Sequence, residues 1–247
     1  MIMNSRWWFY SALAGASLVF APVLLLLFAA MLIYPTLPTL ETLTDYRPKI
    51  PLRVYSAEGH LLGEFGEERR ALVAINEVPE LMKQAILAAE DDRFYEHGGV
   101  DFKSVLRAAY SNFTAGGTKQ GASTITMQVA RNFFLTNEKR YSRKFNEVLL
   151  AFKIEGSLGK DEILQLYINH IYLGQRAYGF STAAQVYFGK SLQQIDLAEM
   201  AILAGLPKAP SAYNPVTNLK RAQLRQTYIL RRMHELGYIN AVQYDAA

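Results

Sequence analysis

From Trp7 to Tyr34 the chain carries no charged residue, and this run constrains the fold more than any other stretch. A hydrocarbon core about 30 Å thick takes roughly 20 helical residues to cross, and a helix satisfies every backbone polar group within its own segment. Residues 7–34 are therefore read as one transmembrane helix and residues 1–6 as a cytoplasmic tail. The apolar region of a cleaved signal peptide is shorter, about 7–15 residues. Trp7, Trp8 and Tyr10 at one end and Tyr34 at the other suit interfacial belts, and Pro22 is tolerable as a kink. Only Arg6 and the amino terminus are positive before the span, which favours a cytoplasmic amino terminus and an external domain.

Residues 35–51, with four prolines and little periodicity, read as a stalk. PLRVYSAEGHLLGEF alternates around Glu58-Gly59 as a short β-hairpin would. Beyond Pro79 the pattern is helical. Asp101 can cap a helix in which Phe102, Val105, Leu106, Ala109 and Phe113 keep helical spacing, ahead of a Gly-rich loop, TAGGTKQG, expected to be mobile. Ser123 is expected to open the next helix. Phe145, Val148, Leu149 and Phe152 mark another, Asp196 and Glu199 have capping-box spacing, and a last helix runs from Leu219 to Leu236. Residues 52–240 thus form one mostly α domain, with 241–247 beginning a linker.

That rhythm lacks the strand-helix alternation of a nucleotide-sugar crevice, and neither GxGxxG nor DxD occurs. Cysteine is absent, and His60, His97, His170 and His234 lie too far apart for metal-ligand spacing.

Within AILAAEDDRFYEHGGVD, Leu81, Met82, Ala85, Ile86 and Ala89 place Glu90 near the C-terminal end of a core-facing helix. The helix dipole, Asp91 and Asp92, and burial against Phe94 and Tyr95 all favour its protonated form, so Glu90 is expected to titrate high, as suits a general base. A solvated acidic helix end is the plainer alternative. From Lys119 to Lys160 there are eight basic residues against three acidic, a surplus of five that exceeds the whole chain's +4. No nucleic-acid motif accompanies them, and beside a membrane the natural anion is a lipid-linked phosphate. Arg143 and Lys144 stand at i−4 and i−3 from Glu147, so that carboxylate is expected to stay ionised, the opposite of Glu90; a surface ion pair would have the same spacing.

EDDRFYEHGGVD, GASTITMQVARNFFL, SRKFNE, EILQLYINHIYLG and LAGLPKAPSAYNP follow one another between residues 90 and 215. Together they resemble the five ordered motifs of the family 51 peptidoglycan glycosyltransferases, in the form found as the amino-terminal half of class A penicillin-binding proteins. The resemblance implies a lysozyme-like helical domain with a small membrane-apposed jaw, on the outer face of a bacterial inner membrane. It implies polymerisation of lipid II onto a growing lipid-linked glycan with release of undecaprenyl pyrophosphate. Glu90 matches the general base and Glu147 the second essential carboxylate. Arg131, Arg143 and Lys144 match phosphate contacts, and Asp91, Ser123, Thr124, Gln128 and Asn169 match substrate-binding positions, Asn169 with a packing role as the alternative. No cofactor is required by this chemistry, although Glu147 could organise a divalent cation, Mg or Mn; other cell-wall synthesis proteins are admissible partners.

Two positions depart from the motif GGSTITQQ: Ala122 replaces its second glycine and Met127 its first glutamine, which puts a side-chain contact from position 127 in question. A glycan-cleaving enzyme and a non-catalytic membrane-anchored scaffold are the competing classes. The basic run argues against the first, since a hydrolase has no pyrophosphate to neutralise. Ser157 and Lys160 have the SxxK spacing of a penicillin-reactive serine, but no KTG or SxN element accompanies them.

Overall fold

Ser5–Ile33 forms a single helix, α1, followed by a 3-10 turn at Tyr34–Thr36. Its 29 residues span about 44 Å at 1.5 Å per residue, and it is long and apolar enough to cross a membrane. The computed structural model describes residues 5–44, 52–59, 61–65, 69–116, 121–135 and 140–247. The Gly-rich loop at 117–120 and the second half of the proposed stalk, 45–51, lie outside the described residues. The chain divides into two compact units, Met1–Thr39 and Leu40–Ala247.

The second unit begins with a single turn, α2 (Glu41–Thr44), and a hairpin of β1 (Leu52–Tyr55) and β2 (Leu61–Phe65). Leu52 pairs with Phe65 and Val54 with Gly63, and Gly59 takes the positive φ of 84° that the turn needs. The short strand β3 (Arg69–Arg70) follows. Then come α3 (Glu80–Glu90), α4 (Phe102–Thr114), α5 (Ile125–Phe134), α6 (Arg140–Glu155) and α7 (Lys160–His170). β4 (Ala177–Tyr178) pairs in parallel with β3, a contact invisible to a helical reading of everything beyond Pro79. The chain closes with α8 (Phe180–Phe188), α9 (Leu197–Gly205), α10 (Leu219–Glu235) and α11 (Ala241–Ala246). The domain is mostly α, as expected. Residues 241–247, read as a linker, hold a helix because Asn240 and Gln243 exchange capping hydrogen bonds.

Two groups of helices carry the core. α3 packs on α9 and α10 through Met82, Ile86, Leu203, Ile229 and Met233, all buried. α5 packs on α6 and α7 through Ile125, Val129, Leu150, Ile154, Ile163 and Leu164. The caps at Asp101 and Asp196 form as expected, each carboxylate accepting from backbone N–H groups of the first turn. The apolar stripe of α4, by contrast, faces outward: Phe102, Leu106 and Phe113 are 63%, 72% and 88% exposed, and only Ala108 of this helix is buried. Periodicity set the stripe but not the side it would face.

Candidate active site

α3 ends at Glu90, where the packing of its inner face on α9 and α10 presents the carboxyl to a cleft of about 700 Å³. Gln128, on the first turns of α5, donates its amide to Glu90 Oε2 at 2.7 Å and so joins the two helix groups. Burial pushes the Glu90 carboxyl above the ordinary glutamate value, and the Gln128 hydrogen bond and the charges of Arg225, Lys208 and Arg131 only partly oppose it. The shift has the expected direction but not the whole of the expected cause. Asp91 turns away to accept from His97 Nε2 at 3.0 Å and Ile125 N at 3.0 Å, and Asp92 pairs with Arg232 at 2.7 Å.

The Asp91 contact also changes the reading of α5. Its N-terminus, whose exposed N–H groups favour negative charge, receives the chain's own carboxylate. Thr124, not Ser123, is the N-cap: its oxygen accepts from Met127 N at 3.2 Å while its hydroxyl donates to Gly99 O at 2.6 Å. Ser123 stays on the cleft wall and accepts from Lys144 Nζ at 2.8 Å.

Behind Ser123 stands Glu147. The surface-pair alternative does not hold, because Glu147 is only 2% exposed. Lys144 Nζ reaches its Oε2 at 3.0 Å, and Arg143 Nε lies 3.6 Å from its Oε1. Both oxygens thus face cations, and among the described residues no cluster of His, Asp and Glu could hold a metal ion. These residues do not fit a protein-held divalent cation; they fit a carboxylate that aims Lys144 at Ser123.

Asn169 is not in the cleft. It is buried on α7, where its Oδ1 accepts from Val73 N and its Nδ2 donates to Val73 O, both at 2.9 Å, so its amide clamps the strand-like segment after β3. Met127 is 2% exposed and packs with Val100, Ala151 and Val148. A side chain at position 127 therefore faces the core, and the departure from glutamine removes no contact within the cleft. Ala122 lines the cleft.

Of the residues singled out from the sequence, Glu90, Asp91, Ser123, Thr124, Gln128 and Arg131 line this cavity, Arg143, Lys144 and Glu147 do not, and the opposite wall was not foreseen. Arg107, Lys208, Arg225, Tyr228 and Arg232 also line it. The signal was present: Arg225, Tyr228 and Arg232 recur at i, i+3 and i+7 on α10, one helical face of cationic and aromatic residues. Gly205 makes room for this wall, because a Cβ there would stand 2.7 Å from Arg225 Cγ.

A buried carboxyl of raised pKa set among cations on a helical scaffold is the arrangement of an acid–base group beside an anion site. The profile of the transglycosylase family matches residues 58–234, and the chain belongs to that family. Penicillin-binding protein 1A of Neisseria cinerea is 57% identical over 219 residues, covering 89% of this chain and 27% of that protein. Penicillin-binding protein 1A of Pseudomonas aeruginosa is 53% identical over 225 residues, covering 90% of this chain and 27% of that protein. The chain therefore spans about a quarter of the length of these curated relatives. A crystal structure of penicillin-binding protein 1A from Haemophilus influenzae is 34% identical, with a TM-score of 0.48, over 81% of this chain and 20% of that one.

The SxxK spacing has no nucleophile geometry. Ser157 Oγ donates to Lys153 O at 3.1 Å, whereas Lys160 Nζ donates to His97 O at 2.6 Å and Glu155 Oε1 at 2.7 Å and sits 4.4 Å from the Phe94 ring centroid. The lysine is a structural tie that cannot activate the serine. A labelled penicillin is expected to leave this chain unmarked at stoichiometric level; labelling abolished by Ser157→Ala would overturn that.

Proposed function

We propose that the chain is a peptidoglycan glycosyltransferase that extends a lipid-linked glycan with lipid II. The observation that carries this reading is the buried Glu90 carboxyl, raised in pKa and bonded to Gln128, on a cleft whose walls are otherwise rich in Arg and Lys. Glu90 takes the proton from the acceptor GlcNAc 4-hydroxyl as its oxygen attacks the donor's anomeric carbon. The bond from that carbon to the pyrophosphate oxygen breaks, the electron pair leaves with undecaprenyl pyrophosphate, and the α-linked donor becomes a β-1,4 linkage. A pyrophosphate leaving group needs its charge met rather than a proton supplied, which suits Lys144, Arg143 and Arg131.

α1 anchors the chain in the bacterial inner membrane with the amino terminus cytoplasmic and the catalytic domain outside. The outward apolar face of α4 supports apposition of that part of the domain to lipid. Cell-wall synthesis proteins are its proposed partners. Incubation of the chain with lipid II in detergent is expected to yield glycan polymer; its absence under conditions where the chain is folded would refute the reading. Because the base must be ionised, turnover is expected to vanish as pH falls through the Glu90 pKa, with the midpoint above the ordinary 4.5. A midpoint at or below that value would contradict a desolvated base.

A further inference from the structure

Tyr167 is a buried titratable group to which the proposed reaction gives no part. It lies on α7, 1% exposed, beside the fully buried Ile163, Leu164 and Ile168. Its ring centroid is 6.4 Å from that of Phe180, and its hydroxyl has no hydrogen-bond partner within the protein. A phenylalanine would fill the same space. A buried hydroxyl left unpaired is costly, and a buried tyrosine ordinarily finds an acceptor for it.

The surroundings of the hydroxyl show where that acceptor lies. α7 packs on α5, the helix whose Gln128 bonds to Glu90. The charges that act on the Tyr167 hydroxyl are those of Glu90, Arg131 and Asp91, and all three residues line the cleft. Burial, then Glu90 and Asp91, push the phenol well above the ordinary tyrosine value against the opposing charge of Arg131, so it keeps its proton and can act as a donor. Asp91 is already occupied by His97 Nε2 and Ile125 N, and Asp92 by Arg232. Glu90 accepts only from Gln128, on Oε2, which leaves Oε1 without a donor among the described residues. An unpaired donor and an under-supplied acceptor thus face the same cleft floor from α7 and α3. They make no direct bond, and one ordered water shared between them is the ordinary way in which such groups are satisfied.

We infer that Tyr167 is a positioning residue for the base, donating its hydroxyl across one bound water to the Glu90 carboxylate. Its part in catalysis rests on the glycosyltransferase reading, but the link between the two side chains does not. A donor to the ionised carboxylate favours the charged form. Tyr167 therefore works with Gln128 of α5 and with the charges of Arg225, Lys208 and Arg131 against the desolvation of Glu90. The balance keeps the base strong enough to take a proton and still ionised at the pH where it works.

The test uses the full chain in detergent, labelled with carbon-13 in its glutamate carboxyls and titrated by NMR without substrate. The Glu90 resonance is the one that Glu90→Gln removes. Tyr167→Phe keeps the ring and deletes the hydroxyl, and is expected to raise the Glu90 midpoint by about one pH unit, the effect of one lost hydrogen bond to a charged group. The acid limb of polymerisation is expected to move up with it, so that turnover at a pH on the limb falls about tenfold while KM and the plateau rate change less than about twofold. Phe180→Leu, which loosens the same packing but keeps the hydroxyl, is expected to lower the melting temperature and leave the midpoint in place. An unmoved or lowered midpoint in Tyr167→Phe, or an equal rise in Phe180→Leu, would overturn the link. A raised midpoint in a chain that makes no polymer would leave the link standing and remove the polymerase reading; polymer with a midpoint and acid limb unmoved by Tyr167→Phe would do the reverse.

Discussion

Glu90→Gln is expected to lower lipid II polymerisation by a factor of about 10²–10⁴, the usual contribution of a positioned general base. The amide keeps the shape of the carboxyl and can still accept from Gln128 Nε2 through its own oxygen, so the cleft survives; it cannot take the acceptor's proton. The same substitution is expected to raise the melting temperature at neutral pH. The folded chain holds the Glu90 proton more tightly than the unfolded chain does, so stability declines as pH rises from the ordinary glutamate pKa through the raised one. A neutral amide carries no such loss. Wild-type turnover in the variant would dismiss Glu90 as the base, and an unchanged melting temperature between pH 4 and 8 would dismiss its desolvation.

Lys144→Ala is expected to reduce kcat/KM by about 10²–10³, in the range seen when one preorganised donor to a developing anion is removed. The argument is geometric. Lys144 is held between the buried Glu147 carboxylate and Ser123 Oγ, so its ammonium is already held against a residue of the cleft wall before substrate arrives. Lys153→Ala, on the same helix but outside this group, is expected to change kcat/KM less than about twofold, as ordinary surface substitutions do. Equal effects would show that the basic segment acts only as a diffuse field. Glu147→Gln offers an internal check: it leaves Lys144 in place but loosens its aim, so kcat should fall by less than in Lys144→Ala.

What could be read locally was read well. The apolar run gave α1, the alternation around Gly59 gave the hairpin, and Asp101 and Asp196 marked helix starts, because caps and turns depend on residues only a few positions apart. Even the raised pKa of Glu90 was legible, since a carboxyl following an apolar helical face must be drawn toward the core. The error of one residue at Ser123 and Thr124 has the same origin: either hydroxyl could cap α5, and only the Gly99 carbonyl, brought in from elsewhere in the chain, decides between them.

The sequence alone determined that this protein has one apolar span, a mostly helical domain and a buried glutamate beside a basic segment, since each follows from the chemistry of neighbouring residues. Only the tertiary structure decided which charges share the cleft. Gln128 reaches Glu90 across 38 residues, and Arg225 reaches Ala89 across 136. The same holds for Asn169, whose amide was used up on Val73, and for Met127, turned into the core. Pairings at such separations are set by how α3, α5 and α10 pack, and packing depends on the shapes of whole helix faces rather than on any short motif.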